Sequence, residues 1–420
     1  MGRIQSYLSG KRLLRLLLGI LLIFLFFHLV TFIRSFTSGV QYTSPIHEIT
    51  HLLLRFNANR SNFVPGVVII GRLKSPLPNF RDSSSDTKES TQSTRIDFNI
   101  TPLISTGSED LNFPLHLDFP ELVRRVLANQ SVPVKPINQP NFRILVSNSH
   151  KCHSSSLVFS ERPDLLILIK SAPSHFALRD AIRVGWGDER CWGGRQIARQ
   201  FLLGTVSPST SQTAVRLKQE IETYGDIIQQ DFVDHYYNNT YKLMFGLEWA
   251  VRYCSNAQLI MFVDDDFFVI PQNVLAYAEG ISEGIRDRLI SGYVWSNAVP
   301  VRTNRTQRGK WFVSKEEFPD SHYPPYVAAG NFFLSIPMAR ELIVASHYTR
   351  YLRFDDVFLG IILKKLVRTP IHLKQIHAFH GLTKAAPNLA QMISSHQFSD
   401  PVLQLETWDR LNCSQFCVER

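Results

Sequence analysis

Cysteine is scarce in this 420-residue chain: five residues, Cys152, Cys191, Cys254, Cys413 and Cys417. That is too few for a disulfide-stapled scaffold and compatible with two bridges and one free thiol, whose pairing the spacing leaves open. No internal repeat is evident, which excludes a solenoid or an array. The chain also lacks any dense basic block. Its net charge of +9 is spread along the length, so nucleic-acid binding is not the first reading. A general attraction for anionic ligands is the more modest inference.

Charge is missing altogether from Leu16 to Ile33, apart from the titratable His28. A helix of that length rises about 27 Å, close to the hydrocarbon thickness of a bilayer. A cleaved signal peptide has a shorter apolar region followed by small residues. Here the run ends in Thr31, Phe32, Ile33 and Arg34, so a permanent anchor is expected. Arg3, Lys11, Arg12 and Arg15 precede it, which predicts residues 1–15 as a cytoplasmic tail and everything after 33 as luminal, a type II topology. Sequons at Asn59, Asn99, Asn129, Asn238, Asn304 and Asn412 are usable in that setting.

Residues 34–140 lack sustained hydrophobic periodicity. The stretch from Lys74, KSPLPNFRDSSSDTKESTQSTRIDFN, is rich in Ser, Thr, Pro and charge, and has too few large apolar residues to offset its ordering entropy. We expect a partly disordered stem. From 141 to 420 apolar runs alternate with helical stretches: DLLILIK, FALRDAIRVGWG, RQFLLGT, VRLKQEIETYG, YKLMFGLEWAVRYC and AQLIMFVDDD. Such alternation predicts an α/β domain with a mainly parallel sheet covered on both faces. Ligands of such sheets bind beyond the carboxyl ends of the strands.

Asp264, Asp265 and Asp266 stand at that end of LIMFV. In extended chain Asp264 and Asp266 share a side and Asp265 points away. Two carboxylates on one side repel unless protonated or bridged, and hard oxygen ligands suit Mg²⁺ or Mn²⁺. An acidic triplet also serves as a solvated turn or a helix cap; its place after five apolar residues favours the metal.

The ordered series LLILIKSAPSHFALRDAIRVGWG, FLLGT, ETYGDIIQQDFVDHYYNNTYKL, FVDDDFFV, YPPYVAAGNFFLS and FDDVFLG resembles the β-1,3-galactosyltransferase-like family of Golgi glycosyltransferases, taken with its N-acetylglucosaminyl and N-acetylgalactosaminyl relatives. The resemblance implies a nucleotide-sugar-binding α/β domain of the GT-A type, a UDP-sugar donor, Mn²⁺ or another divalent cation, a glycan acceptor on protein or lipid, and inversion at the anomeric carbon. It places the chain in the Golgi membrane and leaves a homo-oligomer open. Residue by residue it implies metal ligation by Asp264, Asp266 and His380, the last chosen among His372, His377 and His380. Donor contacts would come from Arg179, Arg183, Asp226, Lys242 and Asp265, with Trp186 nearby, and acceptor contacts from Tyr326, Gly330 and Asp355. Asp356, in the position of the family's Glu-Asp-Val motif, would be the base that deprotonates the acceptor hydroxyl.

Each assignment has a plainer competitor. Asp234 is a candidate cap for the helix starting near Asn239, and Asp355 or Asp356 could cap VFLGIILKKL. YPPYVAAGNFFLS reads as a rigid approach followed by small residues that let backbone come close. The family commonly has Cys-Ser-Gly-Gly-Gly-Tyr where this chain has Val327, Ala328, Ala329, Gly330, Asn331 and Phe332, and Gly185 departs from the usual residue too. The expected activity is transfer of a hexose, foremost galactose, in β-1,3 linkage. The alternatives are transfer of an N-acetylhexosamine, an inactive glycan-binding or chaperone-like relative, and an adhesion ectodomain.

Overall fold

The computed structural model of the chain describes residues 117–152, 162–303, 309–379 and 391–418. These fall within one compact unit, Gln92–Arg420. The expected membrane segment, most of the stem, and His380 lie outside the described residues. Among the described residues no helix is long and apolar enough to cross a membrane.

The elements run α1 (Phe119–Leu127), β1 (Ile144–Val146), β2 (Leu165–Lys170), α2 (Phe176–Val184), β3 (Ile197–Thr205), α3 (Gln212–Tyr224), β4 (Ile227–Val233), α4 (Asn239–Tyr253), β5 (Ile260–Asp264) and β6 (Phe268–Val269). Then follow α5 (Pro271–Glu279), α6 (Glu283–Arg286), β7 (Ile290–Trp295), β8 (Tyr326–Leu334), α7 (Ile336–His347), α8 (Asp355–Lys365), β9 (Ile371–His372), β10 (Ile376–His377), β11 (Ser394–Ser395) and α9 (Pro401–Arg410).

The main sheet has the order β1-β4-β3-β2-β5-β8-β7-β9. Strands β4, β3, β2 and β5 are parallel neighbours and form its centre. The expectation of a mainly parallel sheet therefore holds for the centre only, because β8 runs antiparallel to both β5 and β7 and β1 antiparallel to β4.

Alternation explains the two cores. In β2, Leu166 and Leu168 join one apolar cluster with α1, α4, α7 and α8, while Leu165, Ile167 and Ile169 join a second with α2 and α9. Every residue of β2 is buried, as a strand covered on both faces requires. Each such aliphatic side chain contributes roughly 1.5–3 kcal/mol relative to exposure.

One sequence expectation is corrected here. Tyr326–Leu334 is not an approach loop; it is a nine-residue strand in the middle of the sheet. Its polar member, Asn331, is fully buried and satisfied, donating to the Phe262 carbonyl (3.1 Å) and accepting from Ser394 Oγ (3.2 Å). Only Tyr323 to Pro325 remain as the approach. The cysteines form Cys152–Cys254 and Cys191–Cys417 and leave Cys413 buried and free.

Candidate active site

The carboxyl ends of β2 and β5 and the amino end of α8 meet. Register sets Lys170, the last residue of β2, opposite Asp264, the last of β5. Lys170 Nζ lies 3.0 Å from Asp264 Oδ1 and 2.8 Å from Asp355 Oδ2, with the lysine side chain only 4% exposed. Burial alone would lower the lysine's pKa, but the two carboxylates outweigh it and raise it, so the ammonium is retained. Sequence reasoning missed Lys170. The one available signal was a cation ending an otherwise apolar strand.

Past Asp264 the chain leaves the strand and turns, so simple alternation stops there. The burial still alternates: the side chains of Asp264 and Asp266 are each 34% exposed and that of Asp265 7%. Each aspartate has its own partner. Asp265 Oδ2 pairs with His175 Nδ1 at 2.9 Å, and Asp266 Oδ2 with His396 Nε2 at 3.1 Å. Those hydrogen bonds raise the pKa of both imidazoles, against the effect of burial. Burial pushes the Asp264 carboxyl up, the negative charges of Asp266 and Asp355 add to this, and Lys170 opposes it.

Asp355 and Asp356 open α8, but neither caps it: the capping position is Phe354, which has no capping side chain. Asp356 Oδ1 accepts the Val357 amide at 2.7 Å, and a first-turn position favours its charge. Burial and the neighbouring Asp355 outweigh these and push its carboxyl up to about 7. Such a carboxylate is suited to accept a proton near neutral pH.

The residues expected at the donor side form an interior network. Arg179 is fully buried and spends its guanidinium on Glu220 (2.9 and 2.6 Å), Ser171 Oγ (2.9 Å), and the carbonyls of Ala172 (2.6 Å) and Pro173 (3.1 Å). It pins the loop after β2 rather than facing solvent. Arg183 clasps Asp226 through Nε and Nη2 at 2.8 and 2.9 Å, and Arg199 reaches the same carboxylate at 2.8 Å. Burial pushes Asp226 up, yet the two arginines together hold it below the usual carboxylate range. Lys242 Nζ is buried against the Ser171 carbonyl (2.6 Å) and Asp234 Oδ1 (2.9 Å). Asp234 also accepts the Gly204 amide, so it ties strand ends together and does not cap α4. Trp186 is buried too, donating to Gln404 Oε1 at 3.0 Å.

Tyr326 is buried. The room beside Gly330 is filled by Phe267: a Cβ there would lie 2.3 Å from that ring. His372 accepts the Val294 amide at 2.9 Å and meets the Tyr293 ring edge to face, and His377 lies in β10. The imidazole that meets Asp266 is His396, which sequence spacing had not singled out.

Among the described residues, Asp266 Oδ1 is buried without a hydrogen-bond partner. An orphan carboxylate oxygen beside Asp264 suits a hard divalent cation. Among the described residues no group of three or more His, Cys, Asp or Glu side chains has metal-ligand spacing. Mg²⁺-like ions are commonly held by one or two carboxylates, with waters and substrate phosphates completing the shell, so the donor set fits such an ion.

A carboxylate cluster beyond the ends of parallel strands defines an α/β protein that takes its ligand at the carboxyl edge of the sheet. The family profile described as Galactosyltransferase matches residues 177–374. Beta-1,3-galactosyltransferase brn of Drosophila melanogaster is 36% identical over 253 residues, 60% of this chain and 75% of that protein. Beta-1,3-galactosyltransferase 1 of Homo sapiens is 35% identical over 273 residues, 64% of this chain and 78% of that protein. The human beta-1,3-galactosyltransferase 5 is 35% identical over 258 residues, 60% and 80% of the two chains. The chain belongs to this galactosyltransferase family. Among solved structures, the galactosyltransferase LgtC with donor and acceptor sugar analogs covers 60% of this chain and 95% of its own at 12% identity, with a TM-score of 0.31, too distant to support a fold argument.

Proposed function

We propose that this chain transfers galactose from a UDP-sugar to a glycan hydroxyl in β-1,3 linkage, with inversion, through a GT-A-type site built on Asp264, Asp266 and Asp356. The observation that carries the reading is the convergence, at one strand edge of a galactosyltransferase-family chain, of a carboxylate with an orphan oxygen and a carboxylate tuned to about 7.

In a single displacement Asp356 takes the proton of the acceptor hydroxyl as its oxygen attacks the anomeric carbon and UDP departs. Asp266 and Asp264 would hold a divalent cation with the donor diphosphate. When bound, that cation supplies positive charge where the leaving group becomes more negative. Lys170 keeps Asp264 and Asp355 in place, and His396 orients Asp266 through its second oxygen. Asp265, fixed by His175, and the network of Arg179, Arg183, Asp226 and Lys242 shape the donor side from beneath. Such support matters because small displacements of reacting groups are costly in rate.

The reading includes a single N-terminal anchor over 16–33, a stem to 140 and a luminal catalytic domain in the Golgi. Its support is the uncharged run and the basic residues before it.

The test is transfer by the full chain in detergent, with UDP-galactose and Mn²⁺ and a panel of glycoside acceptors. Asp266→Ala and Asp356→Asn should each abolish transfer while circular dichroism and thermal unfolding stay near wild type. Full transfer by a folded variant would sink the corresponding assignment.

A further inference from the structure

We propose that Trp311 and Tyr236 form a platform on which the acceptor's pyranose ring stacks, presenting its hydroxyl to Asp356. The inference rests on the transferase reading and adds Trp311 and Tyr236, neither of which was among the expected site residues.

Two loops far apart in sequence build this surface. Tyr236 and Tyr237 sit in the single turn Tyr236–Asn238 between β4 and α4, and Trp311 ends the turn Gly309–Trp311 between β7 and β8. Trp311 Nε1 donates to the Tyr236 hydroxyl at 3.0 Å, and the Tyr237 hydroxyl donates to the Lys310 carbonyl at 3.2 Å. The rings of Tyr236 and Tyr237 meet edge to face at 5.4 Å. The loops are thus cross-linked, yet Trp311, Tyr236 and Tyr237 remain 41%, 45% and 39% exposed. Large aromatic side chains held rigid while facing solvent suit recognition of a partly apolar ligand.

Position identifies the ligand. Tyr237 contacts the ring of Phe354, immediately before the Asp355–Asp356 pair, and Arg353 lies over both rings. The Tyr236 phenol lies within the electrostatic reach of Asp356, Asp355 and Asp264. The platform therefore borders the proposed base. The group that must reach that base is the acceptor hydroxyl on a sugar ring. A pyranose has an apolar face of C–H bonds that lies flat on an aromatic ring and a rim of hydroxyls. Lys310, whose ammonium lies 4.5 Å from the Trp311 ring centre and 5.7 Å from that of Tyr236, supplies a donor for that rim, while Arg353 is held by Glu317 and the Phe312 carbonyl and braces the platform from behind.

The experiment uses the full chain and the methyl β-glycoside that wild type galactosylates best among those of glucose, galactose, N-acetylglucosamine and N-acetylgalactosamine. For Trp311→Ala the acceptor KM should rise roughly three- to tenfold, the size of an aromatic contact, while the KM for UDP-galactose does not. Trp311→Phe, which keeps a ring, should recover most of the acceptor KM. An unchanged acceptor KM, or a parallel rise in the donor KM that makes the platform a nucleotide contact, would overturn the proposal and leave the transferase reading intact. Absence of both transfer and UDP-galactose hydrolysis by wild type would overturn the transferase reading and the platform with it.

Discussion

Lys170→Met tests how the site is held together. The lysine side chain is 4% exposed and bridges Asp264 and Asp355, whose side chains are 34% and 7% exposed. Removing one partner of a buried ion pair costs about 3–5 kcal/mol, because the remaining charge is left without compensation. Asp264 keeps a third of its side chain in water, so the lower end applies, about 3 kcal/mol. At about 2.1 cal/mol/K of unfolding entropy per residue, a domain of this size would lose roughly 5 °C in Tm. Methionine preserves most of the volume, so the effect reports charge rather than a cavity. The sign of the pH dependence adds a second check. The Asp264 carboxyl is already raised by burial, and loss of the ammonium raises it further. The native state then binds more protons than the unfolded state between the ordinary carboxylate pKa and the raised one, and stability falls as pH rises through that window. Urea unfolding should accordingly show a larger deficit for Lys170→Met at pH 8 than at pH 5, and Lys170→Met/Asp355→Asn should recover part of it. A single variant within 1 kcal/mol of wild type at both pH values would refute the reasoning.

Two further outcomes are expected. With Asp356 pushed up to about 7, kcat/KM for transfer should rise with pH through about 7 and level off above it, and a profile flat between pH 5.5 and 8 would remove Asp356 as the base. Gly330→Ala places a methyl 2.3 Å from the buried Phe267 ring and should destabilise by about 1–3 kcal/mol through overpacking, with Phe267→Leu in the same chain restoring part of it; an unshifted unfolding midpoint would show that the ring yields freely.

Much of the scaffold was legible locally. The apolar runs of β2 and β5 and the spacing in α2, α3 and α4 predict their elements, because strand and helix periods are properties of consecutive residues. The strand at Tyr326–Leu334 was not legible: a proline pair precedes it, small residues stand in its middle, and only burial of Asn331 in the sheet makes the segment coherent. Asp264 and Asp266 could be picked out as candidates by their position at a strand's end and Asp356 by resemblance to a family motif, while the character of their neighbours could not. Arg179 and Arg183 share a helix face, as four-residue spacing requires. That this face turns inward onto Glu220 and Asp226 is a matter of packing.

What the sequence by itself determined is the family, the order of strand and helix, and the placing of three aspartates at a strand's carboxyl end. Each depends on residues near one another in the chain. Only the tertiary structure decided that Lys170 joins Asp264 to Asp355, that His396 and not His372 or His377 meets Asp266, that Trp311 reaches Tyr236, and that the cysteines pair as 152–254 and 191–417. These partners lie tens to hundreds of residues apart. They meet because sheet register and helix docking bring distant parts of the chain together, and no local period encodes that.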